Sequence, residues 1–321
     1  MDRIFITGGA GFIGSNLVSK ILRERPDTEI TVYDNFTVGK LVHLSDNFSN
    51  GNLSIVNGDV HDREHLKDSM RGHQKIIHLA ANSSIAKAVS DPTLDTREGT
   101  ELAQNVFEVA RLLDIHRIVY VSGSGVYGDT PDQLIDEDYS PLKPISTYGA
   151  SKLACEALLS AYSFMFDMRS VIFRFANVVG PNQTHGVTLD FMRSLFFDKK
   201  KLNVLGDGTQ SKMYVYVDDI CDAILLAEDK SSGMCDIYNV GNDSAISVAE
   251  IAQMAVNLLG DESTQILYGA GTRGWKADVP KIKLNSSKIT SLGWKAVMTS
   301  EEAIQNTLKI LIHELESGLH Q

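Results

Sequence analysis

The sequence predicts an α/β protein: a doubly wound parallel sheet followed by a smaller mixed α/β C-terminal domain. Three observations predict it. Short apolar runs alternate with amphipathic helical stretches through the first half. Those runs are apolar on consecutive positions, as strands covered on both faces are. The first of them ends in a glycine-rich turn, Thr7–Gly14, that opens a helical pattern. In order, strands are expected at Arg3–Thr7, Glu29–Asp34, Leu53–Asn57, Ile76–Leu79, Ile118–Ser122 and Ser170–Phe175, with helices Ile13–Arg23, Glu64–Met70, Leu102–Leu113 and Ala150–Met165 among them. Past about Asn177, Gly180-Pro181, Gly206–Gly208 and Gly269–Gly274 punctuate shorter elements. Val215–Val217 and Ile237–Val240 still read as strands, and Val248–Leu259 and Ser300–Leu315 as helices. In the last helix Ile304, Leu308, Leu311, Ile312 and Leu315 share a face, with Glu301, Glu302, Lys309 and Glu314 largely opposite. Residues 1–176, with an interleaved segment at about 213–245, are read as the first domain, and 177–212 with 246–321 as the second.

Composition narrows the function. The 321 residues carry 41 acidic and 30 basic side chains, a net charge of −11 without blocks of one sign, which disfavours sequence-independent nucleic-acid binding. Cys155, Cys221 and Cys235 are scattered, with neither disulfide nor zinc spacing, so a reducing cytoplasm is the natural setting. His61 and His65 stand four apart without a third ligand and read as a solvated helix face rather than a metal site. The start of the chain lacks a secretory pattern, and no apolar run approaches the ~20 residues that cross a bilayer. A soluble cytoplasmic protein with no membrane or nucleic-acid partner is expected.

The turn Thr7–Gly14 is the strongest local signal. Gly8 and Gly11 let the backbone turn tightly against a pyrophosphate, Gly14 permits close helix–strand packing, and the helix N-terminus favours phosphate charge. This is the fingerprint of a Rossmann-type dinucleotide site. Asp34 ends the second strand 20 residues beyond Gly14, where a carboxylate accepts from both ribose hydroxyls and repels a 2′-phosphate, so NAD is favoured over NADP. Asp59, after the third strand, suits the adenine amino group, or else caps the helix over His61–Leu66. The small residues after His78 let a cofactor lie close. Tyr148 and Lys152 stand four apart on one face of a helix start. A phenol is a poor base at neutral pH, and a nearby ammonium favours the phenolate.

With these motifs the chain resembles the extended short-chain dehydrogenase/reductases, specifically the NAD-dependent nucleotide-sugar epimerase/dehydratase family. The likeness runs nearly end to end through TGGAGFIG (Thr7–Gly14), DNF (Asp34–Phe36), GDV (Gly58–Val60), HLAA (His78–Ala81), VYG (Val126–Gly128), YGASK (Tyr148–Lys152), RFANVVGP (Arg174–Pro181) and GDGTQSK (Gly206–Lys212). Within the family it is most like archaeal-type UDP-sugar 4-epimerases, through Pro144–Leu158, His185–Val187 and Arg273–Pro280. The resemblance implies that Tyr148 takes the sugar O4 proton while C4 hydride passes to NAD. Lys152 holds the nicotinamide ribose, and the 4-keto sugar rotates before hydride returns. It implies a coenzyme set of Gly8, Gly11, Phe12, Ile13, Gly14, Asp34, Asn35, Thr37, Asp59, Val60, Leu79, Ala80, Ala81, Ser122, Phe175, Tyr148 and Lys152.

For the substrate it implies Asn177 and Lys212 at the diphosphate, Arg273 at a second phosphate position and Asp278 at the nucleotide ribose; Tyr214 is a further candidate on this side, and Lys87 and Thr188 are, apart from the resemblance, candidates for the sugar. Lys212 stands where the family usually has Arg, which keeps the charge and loses the bidentate fork. Helices Leu102–Leu113 and Ala150–Met165 are implied to pair across a homodimer.

One departure bears on the chemistry. The family's catalytic Ser or Thr sits three residues before Val126, and that position is Gly123. Ser124 is the leading substitute, with Ser122, a water or Tyr148 acting directly as alternatives. Sugar 4,6-dehydratases place Asp-Glu in the two positions before this Val, and decarboxylases a Glu immediately before it; here stand Ser124 and Gly125. The reading is therefore C4 epimerisation of a UDP-hexose, UDP-glucose/UDP-galactose first, with UDP-glucuronate or a UDP-N-acetylhexosamine as alternatives. A catalytically idle NAD-binding regulatory protein and a net oxidoreductase that releases NADH are the rival classes.

Overall fold

The structure is a computed structural model that describes residues 2–82, 88–130 and 132–320. Seven strands, β1 (Arg3–Thr7), β2 (Glu29–Asp34), β3 (Leu53–Asn57), β4 (Lys75–His78), β5 (Arg117–Val121), β6 (Arg169–Phe175) and β7 (Cys235–Val240), form one sheet in the order β3-β2-β1-β4-β5-β6-β7. Every pairing is parallel. The chain winds outward from β1 to β3 and then restarts on the other side of β1. Between β1 and β4, where Thr7 pairs with His78, the winding reverses and a crevice opens at the carboxyl ends.

The side-chain alternation of β1 explains why its apolar run is continuous. Ile4 and Ile6 enter one buried layer with Leu17 and Ile21 of helix α1 (Phe12–Glu24). Phe5 enters the opposite layer with Leu66 of α2 (Arg63–Met70), Phe107 of α3 (Leu102–Leu112) and Leu159 of α4 (Thr147–Phe166). A third cluster packs α5 (Val187–Phe197), α7 (Val248–Leu259) and α9 (Ser300–Glu316) through Met192, Leu195, Ile251, Ile304 and Leu308. Between these come α6 (Val217–Lys230), which returns against α1, and the one-turn α8 (Ser287–Thr290). Among the described residues no helix is long and apolar enough to cross a membrane.

The expected elements are present, with bounds shifted by a few residues at most, and two details differ. The strand expected at Val215–Val217 is Tyr214–Tyr216; it pairs with Asn177–Val179 outside the main sheet, and Val217 already begins α6. Helices α5 and α6 carry only acids in the first turn, Asp190 and Asp218-Asp219, as a start signal, because their N-caps, Gly186 and Tyr216, make no side-chain cap hydrogen bond. By contrast α7 and α9 open on full capping boxes at Ser247 and Thr299.

His78 closes β4 inside the core, stacked on Tyr120 at 5.8 Å, with Nδ1 2.6 Å from the Thr7 hydroxyl. Burial, with the Lys152 ammonium adding to it, lowers its pKa to about 3. Unfolded, the ring binds a proton below pH ~6.5; folded, it stays neutral. Stability is thus lost as pH falls from about 6.5 towards 3, by up to ~1.4 kcal/mol per unit on this account. In urea melts at pH 7 and pH 5, His78→Gln is expected to shrink the acid-induced loss by about 2 kcal/mol.

Candidate active site

The glycine turn is pressed onto the end of β4. Gly8 has φ +71°, and a Cβ there would lie 2.7 Å from the Ala80 nitrogen; a Cβ on Gly14 would lie 2.4 Å from the Gly8 carbonyl oxygen. Only glycine allows this approach, and it leaves a side-chain-free cradle over the crevice. Gly11 caps α1 without a side chain, so the first-turn N–H groups face outward without a protein side-chain acceptor. Phe12, Val60 and Phe175 are buried in the core around this turn, while Ile13, Leu79, Ala80 and Ala81 are partly exposed.

Asp34 ties β2 to the turn: one carboxylate oxygen accepts from the Ala10 N–H at 3.0 Å and the other from the Phe36 N–H at 2.9 Å. Burial pushes its carboxyl up, partly offset by those two donors. Each oxygen retains a lone pair for a hydroxyl. Asn35 binds the Thr37 hydroxyl at 2.8 Å and donates to Asp59 at 3.1 Å, so Asp34, Asn35, Thr37 and Asp59 form one connected rim. The cap of α2 is Asp62, accepting from the His65 N–H; Asp59 instead accepts from the His61 N–H and stays exposed at the rim. Cradle and buried acid together fit the pyrophosphate and ribose of NAD.

Helix α4 brings the reactive pair to the same crevice. Ser146 caps it, accepting from the Gly149 N–H at 3.0 Å. Lys152 is buried; its ammonium donates to the Val121 carbonyl at 2.8 Å and lies 5.6 Å from the Tyr148 ring centre and 5.1 Å from that of Tyr120. A Cβ on Gly149 would meet the Gly125 carbonyl oxygen at 2.5 Å, so the helix start sits directly on the short 3-10 turn Ser124–Tyr127. Gly123 lies between these two contacts, extended at φ −172°, and a Cβ added there meets nothing within 4 Å. Ser122 precedes it with its hydroxyl buried and, among the described residues, unpartnered, and the half-buried Ser124 follows.

Supports of this helix that sequence reading missed come from far along the chain. The buried Asp95 accepts from the Thr147 hydroxyl at 2.7 Å and from Asn82 at 2.8 Å, and its backbone carbonyl accepts from Ser151. One turn past Lys152, Glu156 forms a buried ion pair with Arg174 at 2.7 Å; Arg174 also donates to Tyr127, whose hydroxyl donates to Asn239. Their only sequence signal is polarity inside apolar patterns.

On the other side, Asn177 pairs across the short sheet with Tyr214. Burial pushes the Tyr214 phenol up; a hydrogen bond with Asn177 opposes this and the Asp278 charge adds to it. Lys212 pairs with the buried Asp278 at 2.7 Å and lies 5.0 Å over the Trp275 ring. Arg273 forks onto Asp129 with contacts of 3.1 and 2.8 Å and also donates to the Asp278 backbone carbonyl. Asn177, Lys212, Tyr214, Arg273 and Asp278 are therefore one connected group. Thr188 is fully buried, its hydroxyl donating to Gln183 at 2.9 Å, which secures the start of α5. Lys87 lies outside the described residues. Asp129 and Trp275 were not foreseen, since each gains meaning only from a partner distant in sequence. Among the described residues no three His, Cys, Asp or Glu side chains could hold a metal ion.

Comparison with known proteins agrees with this geometry. The model of the NAD dependent epimerase/dehydratase family matches residues 4–241. A Methanocaldococcus jannaschii protein with a provisional UDP-glucose 4-epimerase name is 31% identical, over 95% of this chain and 97% of its own length. The crystal structure of a UDP-galactose 4-epimerase superposes with TM-score 0.87 at 33% identity, covering 98% of this chain and 99% of that one. A double mutant of a Streptomyces venezuelae dTDP-glucose 4,6-dehydratase, solved with NAD bound, gives 0.88 at 28% identity, covering 98% of each chain.

Proposed function

This chain is a member of the NAD-dependent epimerase/dehydratase family, and from that premise we propose that it inverts C4 of a UDP-hexose, with UDP-glucose and UDP-galactose as the substrate pair. Overall likeness does not separate epimerases from dehydratases, since both superpose equally well. The observation that carries the reading is local: beside the Tyr148–Lys152 pair, the segment 122–126 holds no carboxylate, and Ser124 and Gly125 stand where dehydratases resemble one another in Asp-Glu.

The cradle at Gly8 and Gly14, with Asp34 at its rim, would hold NAD, which would supply reversible hydride chemistry at C4. Tyr148 takes the proton of the 4-hydroxyl and returns it to the same oxygen after the keto sugar has turned. Lys152, fixed by the Val121 carbonyl, places positive charge beside the ring on which the phenolate forms. Asn177, Lys212, Arg273 and Asp278 anchor the nucleotide diphosphate on segments 177–212 and 246–321, leaving the hexose free to turn. Ser124 or a water completes the proton path in place of the hydroxyl that Gly123 lacks. The exposed stripe of α4, Ala150, Ala157, Ala161 and Phe164, suits packing against a second copy, and light scattering is expected to give the mass of a dimer.

The test is incubation of the purified protein separately with UDP-glucose, UDP-glucuronate, UDP-N-acetylglucosamine and dTDP-glucose, read by NMR of the anomeric region. A C4 epimer from UDP-glucose is expected. An epimer from another sugar alone would move the substrate, and a 4-keto-6-deoxy product would overturn epimerisation. Retained NAD with no product from any sugar would favour a regulatory role.

A further inference from the structure

The two cations of the nucleotide side are each held by a carboxylate of the chain, but on unequal terms. Asp278, the partner of Lys212, is buried, and its second oxygen accepts from the Gly274 N–H at 3.0 Å. Asp129, the partner of Arg273, is half exposed, and among the described residues its side chain has no hydrogen bond other than the two from the guanidinium. Releasing Asp278 would strand a buried charge; releasing Asp129 returns a carboxylate to water at little cost. The fork that Arg273 makes, two parallel N–H···O contacts, is also the one it would make to two phosphate oxygens.

The pair also joins two parts of the site. Asp129 follows Gly128, the end of the turn on which α4 is seated, and Gly128 is held at φ +68°, where a Cβ would overlap the Lys143 carbonyl. Arg273 belongs to the glycine-punctuated loop over Gly206. Thr130, the residue after Asp129, has a buried hydroxyl with no hydrogen-bond partner among the described residues.

We propose that Asp129 is a positioning residue that occupies the Arg273 guanidinium in the free enzyme and yields it to the diphosphate of an incoming nucleotide. The proposal rests on the nucleotide-sugar reading above and adds a competitor to it. Asp129 keeps Arg273 extended over the site and lowers diphosphate affinity by the amount needed to displace it. A nucleoside without phosphates does not sense the exchange.

Isothermal titration of the holoenzyme with UDP and with uridine tests this. Asp129→Asn is expected to bind UDP about threefold to tenfold more tightly, with uridine unchanged and the gain shrinking at high salt. In the Asp129→Asn/Arg273→Ala double variant the gain is expected to vanish. A variant that is merely damaged would bind more weakly, which overturns the proposal. Equal shifts for UDP and uridine, or an unchanged UDP affinity, overturn it as well. Failure of the wild-type protein to bind UDP at all would instead overturn the nucleotide-sugar reading, and this proposal with it.

Discussion

Tyr148→Phe is expected to lose about a thousandfold in epimerase turnover while retaining fold and coenzyme. The substitution removes one oxygen from a partly exposed ring whose hydroxyl makes no hydrogen bond among the described residues, so no buried partner is stranded. Lys152 remains anchored by the Val121 carbonyl, and the ring keeps its place one turn away. What disappears is the group proposed to take and return the O4 proton, and positioned acid–base groups contribute ~10²–10⁴-fold. Turnover is read by NMR of the sugar, NAD content by absorbance after gel filtration, and stability by thermal melting. A variant within tenfold of wild type would remove Tyr148 from the chemistry. A variant that lost NAD as well would point to a role in holding the coenzyme.

The coenzyme half of the site was legible because its determinants are local. Gly8, Gly11 and Gly14 lie within one turn, and Gly8 and Gly14 answer to backbone approaches that any side chain would block. Asp34 follows at the end of the next strand, and Tyr148 and Lys152 are one helical turn apart. Here spacing along the chain is nearly spacing in space, so a motif is a piece of geometry. Asp59 marks the limit of such reading. Its position was found, but whether it served α2 or the rim depended on Asn35, 24 residues away, and on Asp62 taking the cap.

The proposed substrate half was marked only by its resemblance to family motifs. That resemblance pointed to Lys212, Arg273 and Asp278 but not to their pairing, because each partner is brought by the fold rather than by the chain. Lys212 meets Asp278 from 66 residues away, and Arg273 meets Asp129 from 144. The buried Glu156–Arg174 pair that fastens α4 behind Lys152 is of the same kind. Helices α5 and α6 stayed unread for a different reason: without a capping side chain, only first-turn acids marked where their apolar faces begin.

Gly123→Ser is expected to raise turnover about tenfold to a hundredfold, a gain of function where most substitutions near a reactive pair cost activity. The backbone permits it, since φ −172° is an extended conformation that serine adopts freely, and a Cβ there meets nothing within 4 Å. Replacing glycine without strain also narrows the unfolded ensemble, so stability should rise by about 0.5 kcal/mol. The new hydroxyl would enter open space on the segment between Val121, whose carbonyl holds Lys152, and Gly125, whose carbonyl lies against Gly149. Neither natural serine reaches that direction by the same route: successive side chains of extended backbone point to opposite sides, and Ser122 is turned inward with its hydroxyl buried. If Ser124 carries the relay in the native enzyme, Ser124→Ala should lose activity in the wild-type background and little in Gly123→Ser. Turnover that falls in Gly123→Ser with a raised KM would mean that the sugar itself uses the open space. Gly123 would then be a determinant of substrate size, and the search for the substrate should move to bulkier hexoses such as the N-acetylated one.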